Sequence, residues 1–241
     1  MIVRDERDSF LLITQPDHAQ LSEVIVAAIR TEPPLHSPAR RTILMATGEH
    51  DNGWTEVDAC PTVDPATGRP CDFMSGPAAV KHELWLRGIA RAAQSNGLAG
   101  ALVAEHALTV YGYRRGEAGW APFFSTIEGM RDALLQRTGY FNGSTREMFE
   151  AYYRCVRLGD SFSLQFCNAW TEPSTTLGYQ ARMEGTTLLI APDPFAGATV
   201  ALRVVGHRVP ARQYRDDAQV RTAMAAATPE IVMGTARGLS V

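Results

Sequence analysis

A chain of 241 residues, with 45% hydrophobic and 20% charged positions, has the composition of a globular protein and enough length to bury a core. Its formal net charge of −3 gives no basic surface that would favour nucleic acid. No apolar run approaches the roughly 20 residues of a membrane helix, and the polar N-terminus does not resemble a signal peptide, so we expect a cytoplasmic protein that does not enter membranes.

The first residues predict a strand followed by a helix. Residues 1–13 end in an apolar run that indicates a short strand or an extended arm. Thr14 or the residue after it is the expected helix cap, with Pro16 in the first turn. This helix should run to about residue 30. The spacing of its apolar positions turns His18 toward the inside.

Two helices separated by a long loop follow. The first covers about residues 40–50 and carries His50 on its inner face. Residues 55–77 are rich in proline and lack sustained periodicity, which indicates an ordered loop or a lid. The second helix runs from about 78 to 95 and carries His82 on its apolar face.

Three more helices complete the first part of the chain. Residues 98–113 place His106 at helical spacing with apolar neighbours, and residues 125–137 form the next helix. A capping box at 144–147 begins a long helix that carries Asp160 in the middle of an apolar stripe. A buried lone carboxylate is costly, so this aspartate needs a partner.

The pattern changes after residue 172 to short alternating stretches that indicate strands, with a short helix near 216–227 and a last strand or tail. The strands are expected at 177–182, 186–190, 199–205 and 206–210. We therefore predict a mainly α, essentially all-α protein: a helical bundle over 1–172 with a small antiparallel β subdomain over 173–241.

Cysteine usage favours a reducing compartment. No CxxC pair occurs, and Cys155 and Cys167 fall on a helical stretch as buried thiols. Cys60 and Cys71 leave open a disulfide or a metal pair.

The histidines and acids on the inner helix faces indicate a shared metal site. The candidate ligands are His18, His50, Asp51, His82, His106 and Asp160. Imidazoles and carboxylates together suit divalent ions such as zinc, iron, manganese or magnesium. We predict one or two such ions. With two, Asp51 would bridge them, with His18, His50 and Asp160 on one ion and His82 and His106 on the other. Each histidine alone has the plainer interpretation of a hydrogen-bonded core residue, and Asp160 could pair with Arg154 or Arg157 instead.

This order of residues resembles the HD-domain superfamily of metal-dependent phosphohydrolases. The similarity extends over about residues 14–170 and includes the segments 14–19, 50–54 and 159–164. The chain resembles still more closely a bacterial family of unknown function with the same helical core. The resemblance implies an HD-like helical bundle. It also implies ligand roles for four of the residues: His18, His50, Asp51 and Asp160. The additional His82 and His106 resemble the six-ligand, two-metal variants. A Gly-Trp pair after His-Asp departs from the usual pattern of that superfamily.

The resulting expectation is hydrolysis of a phosphate ester or nucleotide. The expected partner is a small molecule, phosphorylated if this reaction is correct, and Asp51 is the expected catalytic group that accepts a proton from water. Four arginines are candidates for phosphate binding, although a solvated surface role is plainer: Arg87, Arg91, Arg114 and Arg115. Trp54 and Tyr113 are candidates for pocket walls, with core packing as the plainer account.

Two other classes of function remain open from the sequence. The six-ligand set also fits a diiron HD-type oxygenase, which iron content would distinguish. The third class is a non-catalytic, metal-stabilised binding module, which a closed coordination sphere would indicate. His207 lies in the strand region and is not expected to bind metal. The sequence predicts no oligomeric state.

Overall fold

Strands occur at both ends of the chain, and most helices lie between them along the sequence. The computed structural model describes residues 1–240 and is 51% helix and 20% strand. The helices are α1 (Gln15–Ala28), α2 (Arg40–Gly48), α3 (Thr55–Asp58), α4 (Ala78–Ser95), α5 (Gly97–Val110), α6 (Ala121–Thr138), α7 (Gly143–Cys167) and α8 (Asp217–Ala226). The strands are β1 (Ile2–Asp5), β2 (Ser9–Ile13), β3 (Ser174–Thr176), β4 (Tyr179–Glu184), β5 (Thr187–Ala191), β6 (Thr199–Pro210) and β7 (Pro229–Gly238).

These seven strands form one curled sheet in the order β1-β2-β6-β7-β5-β4-β3. Strand β2 pairs with β6, where Leu12 lies opposite His207, so the two ends of the chain share a sheet. Neighbouring strands are antiparallel except β5 and β7, which are parallel. The sheet is therefore mixed.

The prediction of a mainly α or all-α bundle with a small antiparallel C-terminal subdomain is wrong. The sheet is too large for that description, and its first two strands come from the N-terminus. The apolar run in residues 1–13 indicated a strand, but periodicity does not reveal which distant strand will pair with it. The division of the chain at residue 172 stays a prediction, although the pairing of β2 with β6 crosses it.

Helices and sheet share one main core. Helix α1 packs against β6, and α7 packs against α1, α2 and β4. Large side chains of α7 are fully buried there, including Phe149 and Phe162. The burial of these faces fixes which side of each helix points inward, and this orientation brings the polar residues on the same faces together.

Several local predictions are confirmed, and others shift. Thr14 caps α1, since its side chain accepts a hydrogen bond from the backbone N–H of Asp17. The predicted loop at 55–77 contains the short helix α3 and an isolated bridge between Val63 and Pro70. Helix α7 begins after Asn142 without a side-chain cap, so the expected capping box does not form. No helix within residues 1–240 is long and apolar enough to cross a membrane.

Candidate metal centre

Five of the six predicted ligands lie in one buried cluster. They come from α1, the end of α2, α5 and α7: His18, His50, Asp51, His106 and Asp160. Their donor atoms form two overlapping groups that share His50. Within each group, the donor atoms all lie within 4.8 Å of one another. The three imidazoles are at most 2% exposed, whereas the Asp160 side chain retains 15% exposure. The cluster is thus buried but reached by solvent from one side.

The spacing between donor atoms fits ligands around a common ion. The Nε2 atoms of His18 and His50 are 3.2 Å apart, and Asp160 Oδ1 lies 3.2 Å and 3.5 Å from them. Asp51 Oδ2 lies 3.7 Å from His18 Nε2 and 3.5 Å from His50 Nε2. Ligands at about 2.1 Å from one ion are separated by about 3.0 Å at right angles and about 3.4 Å in a tetrahedron. The donor set and its spacing therefore suit a divalent cation.

Hydrogen bonds behind the histidines leave their Nε2 atoms facing the cluster. His50 Nδ1 lies 2.6 Å from the Thr47 carbonyl, which can only accept, so the ring donates from Nδ1. His18 Nδ1 lies 2.7 Å from the Ser163 hydroxyl, which contacts Ser22 at 2.6 Å. Partners of this kind orient metal-binding imidazoles and fix their tautomer.

Two glycines allow the helices to approach closely enough for this geometry. A Cβ on Gly159 would lie 2.6 Å from Val26 Cγ2 and 2.9 Å from Thr47 Cγ2, so any larger residue would push α7 away from α1 and α2. Asp160 is the next residue along α7, so its position depends on this close approach. A Cβ on Gly53 would overlap the carbonyl oxygen of Leu84, so this glycine lets the segment after Asp51 pack on α4.

Burial and charge move the pKa values of the cluster in different directions. Burial lowers the pKa of His106 to about 3, so this ring is neutral. Burial also opposes protonation of His50, but Asp51 and Asp160 outweigh it and raise the pKa of His50 to about 9. Burial likewise disfavours the charged form of Asp160, yet hydrogen bonds from His18 and His50 hold its pKa well below the usual range. Without a cation, a proton on His50 balances the charge of Asp160.

The structure does not place His82 with the other predicted ligands. Its ring stacks on Phe123 at 4.9 Å and meets Trp120 edge-on at 4.8 Å, and it belongs to neither donor group. The assignment of His82 and His106 to a second ion stays a prediction, and the position of His82 gives it no support. Helical spacing placed His82 on an apolar face of α4, but it could not tell that this residue faces α6.

A cavity of about 240 Å³ borders the cluster at Asp51, His106 and Asp160. Its remaining walls are mostly apolar or aromatic: Trp54, Phe73, Met74, Trp85, Val110, Tyr111, Tyr113 and Leu164, with Gln15 and Lys81. Both residues suggested as pocket walls, Trp54 and Tyr113, thus line it.

Sequence reasoning missed Gln15 and Lys81. The Gln15 carboxamide donates to Asp51 Oδ2 at 3.1 Å, and its backbone N–H donates to Asp58 Oδ2 at 2.6 Å. Lys81 is the only lysine of the chain, and this was the single feature of the sequence that could have drawn attention to it.

Burial raises the pKa of Asp51, and His50 and His18 offset this rise only in part.

The four arginines suggested for phosphate binding have other partners, and none lines the cavity. Arg87 and Arg91 both pair with Glu56 and donate to backbone carbonyls of the segment after Asp51. Arg114 pairs with Glu117, and Arg115 with Glu128. These ion pairs link loops and helices at the surface, and phosphate binding by the four arginines stays a prediction that this geometry does not support.

Comparison with known proteins identifies the family of this chain. Searches of curated proteins and of solved structures gave no match. One family model, described as a protein of unknown function (DUF3891), matches residues 1–211. Because the match covers most of the chain, the protein belongs to the DUF3891 family.

Proposed function

We propose that this protein is a metal-dependent hydrolase of a small phosphate ester, of the HD type. The observation that carries this proposal is that Asp51 and Asp160, from separate helical segments, both lie within 3.2–3.7 Å of the Nε2 atoms of His18 and His50, beside a cavity. A purely structural cluster would gain nothing from the adjoining cavity. Carboxylates and imidazoles at this spacing favour a divalent ion, either one or two.

The donor atoms suggest how an ion would be held. His18, His50, Asp51 and Asp160 Oδ1 form the tighter set. Asp160 Oδ2 lies 3.8 Å from His106 Nε2. One oxygen of this carboxylate therefore faces His18 and His50, and the other faces His106. A bound divalent ion would supply Lewis-acid stabilisation of charge on a phosphoryl oxygen and nucleophilic water at neutral pH.

The protein's own groups would position the substrate and move the proton. Asp51 borders the cavity, and burial raises its pKa, so this carboxylate accepts a proton more readily than an exposed aspartate would. Gln15 donates a hydrogen bond to Asp51 and orients it. Burial keeps the pKa of Tyr111 above its usual range, so its hydroxyl stays protonated and can donate to the substrate. Aromatic walls would exclude bulk water.

A phosphate-release assay tests this proposal. The chain is purified without added metal, loaded separately with Mn²⁺, Zn²⁺, Mg²⁺ or Fe²⁺, and assayed on a panel of phosphomonoesters, phosphodiesters and nucleotides. We expect release with at least one metal in the parent and in His207→Ala, and none in Asp160→Asn. Absence of release across the panel, with metal stoichiometrically bound, would contradict a phosphohydrolase.

The alternatives make different predictions in the same experiment. The diiron oxygenase relied on six ligands, and the placement of His82 removes one of them; tightly bound iron with dioxygen-dependent absorption would restore that alternative. A non-catalytic module predicts a bound metal that no small molecule can approach, which the cavity at Asp51 and Asp160 argues against.

The cysteines support a location in a reducing compartment. Cys60, Cys71, Cys155 and Cys167 are all unpaired, so no disulfide joins the first two. We propose the cytoplasm on this basis. With a net charge of −3, a small molecule is a better partner than nucleic acid.

A further inference from the structure

The only lysine of the chain is buried and makes no salt bridge within residues 1–240. Lys81 is 3% exposed, and its Nζ donates one hydrogen bond, to the Met74 carbonyl at 2.6 Å. No salt bridge involves Lys81 in residues 1–240; Asp72 and Arg114 act on it only from a longer range. A buried ammonium with an unpaired charge is costly, and two of its three N–H groups remain available. An anion entering the cavity would neutralise this charge and accept hydrogen bonds from the free N–H groups.

Lys81 shares its cavity with the metal cluster. Asp51, His106 and Asp160 line the same cavity, so one small molecule in it can meet the cluster and the ammonium together. At about 240 Å³ the cavity lies below the roughly 300–1,000 Å³ that is typical of ligand pockets. A substrate that fits there is small.

The rest of the cavity is suited to an apolar body. Trp54, Phe73 and Trp85 contribute to its walls, and Tyr111 lies beneath the Lys81 ammonium, with 5.8 Å between Nζ and the ring centroid. Aromatic walls of this kind bind flat apolar groups well. Sugar hydroxyls and a polar base would lose their hydration here with few partners in return.

Two buried polar atoms in this wall also lack partners. Within residues 1–240, neither Trp85 Nε1 nor Gln15 Oε1 has a partner at hydrogen-bond geometry, although the indole lies close to the Tyr111 hydroxyl, and both residues are 3% exposed. Buried polar groups are rarely left without a partner unless a ligand or water supplies one. The indole N–H adds a second donor for an anion, and the carboxamide oxygen offers one acceptor.

We propose that Lys81 binds the phosphate of a small phosphomonoester whose alcohol part is apolar or aromatic, rather than that of a nucleotide. This rests on the proposed hydrolase function and specifies its substrate class. The ammonium would hold a phosphoryl oxygen while the aromatic walls enclose the alcohol part.

Binding of phenylphosphonate, which resists hydrolysis, tests this inference apart from activity. Calorimetry on the metal-loaded protein should show tighter binding of phenylphosphonate than of methylphosphonate or adenosine monophosphate. Lys81→Gln keeps a donor for the Met74 carbonyl but removes the charge. It should weaken phenylphosphonate binding by about tenfold or more, and Lys81→Arg should restore part of it. Benzyl alcohol, a neutral probe, should bind the parent and Lys81→Gln alike.

The outcomes separate the two proposals. Unchanged phenylphosphonate binding in a folded Lys81→Gln variant with full metal content, or tighter binding of adenosine monophosphate in the parent, would overturn the substrate assignment. Lysine-dependent phenylphosphonate binding without phosphate release from phenyl phosphate would support the ligand class and contradict the hydrolase. If Lys81→Gln unfolds, the comparison of the three probes on the parent still decides whether an apolar body is preferred.

Discussion

The Nε2 atoms of His18 and His50 face each other at 3.2 Å, although 32 positions separate the two residues in the chain. Since the Thr47 carbonyl takes the Nδ1 proton of His50, a neutral His50 presents only a lone pair at this contact. Two rings so arranged need either a shared proton or a shared cation between them. We propose that a divalent metal ion takes that place.

Replacing Asp51 by Ala should lower the metal content per chain by more than about tenfold, while helix content stays largely intact. Asp51 lies at the end of α2, and its carboxylate contacts both His18 and His50. Elemental analysis and circular dichroism measure the two effects. His207→Ala is the matched control, since this residue lies on β6. Equal metal in the Asp51 variant and the parent would remove Asp51 from the site.

Replacing His82 by Ala should leave metal content unchanged, whereas His106→Ala should reduce it. His82 packs on Phe123 and Trp120, so its loss affects packing rather than coordination. We expect a lower melting temperature with full metal stoichiometry for the His82 variant. Loss of metal from His82→Ala to the extent seen for His18→Ala would show that the site extends to α4.

Gly159→Ala should destabilise the fold by about 1–3 kcal/mol, because the added methyl group would overlap Val26 and Thr47. It should also weaken metal binding, since Asp160 would move away from α1 and α2. Gly129→Ala is the control: it lies in α6, and no atom is within 4 Å of its Cβ position. That variant should be up to about 1 kcal/mol more stable than the parent. Urea unfolding of both variants measures the difference.

Metal uptake should release protons and strengthen as the pH rises. In the metal-free protein the pKa of His50 is raised from 6.5 to about 9, so the ring is protonated at neutral pH and must lose this proton to coordinate. The proton also stabilises the metal-free fold: this contribution is fully present below pH 6.5 and is lost as the pH rises through 9. Calorimetry in two buffers of different ionisation enthalpy measures the release. Uptake without release at pH 7.5 would exclude His50 as the proton donor.

Thiol labelling should divide the four cysteines into two classes. Cys60 is exposed and should react with a maleimide first, followed by the partly buried Cys71. Burial raises the pKa of Cys155 to about 12 and that of Cys167 further, so both should react only after unfolding. Peptide mass spectrometry gives the rates. Fast labelling of Cys155 in the native protein would contradict the packing of α7.

The sequence predicted the helices well because their inner faces repeat at a period that needs only local information. The same periodicity turned His18, His50, His106 and Asp160 inward. It could not predict which helices would face one another, and His82 is the example: it points inward, but toward an aromatic cluster.

The features that were missed depend on contacts between distant segments. The strand at residues 9–13 was visible in the sequence, but its pairing with β6 was not, and this pairing turned a small subdomain into a seven-stranded sheet. Lys81 and Gln15 have no local pattern that marks them. They become candidates for ligand binding only because the fold places them in the lining of the same cavity as Asp51.

The most direct measurement is the amount of divalent metal bound per chain, determined by elemental analysis after dialysis against a mixture of Zn²⁺, Mn²⁺ and Fe²⁺ under reducing conditions. We predict at least one ion per chain in the parent and in His207→Ala, and a strong reduction in the double variant His18→Ala/His50→Ala. Folded parent protein that retains no more metal than this double variant would contradict the metal centre and the hydrolase proposed from it.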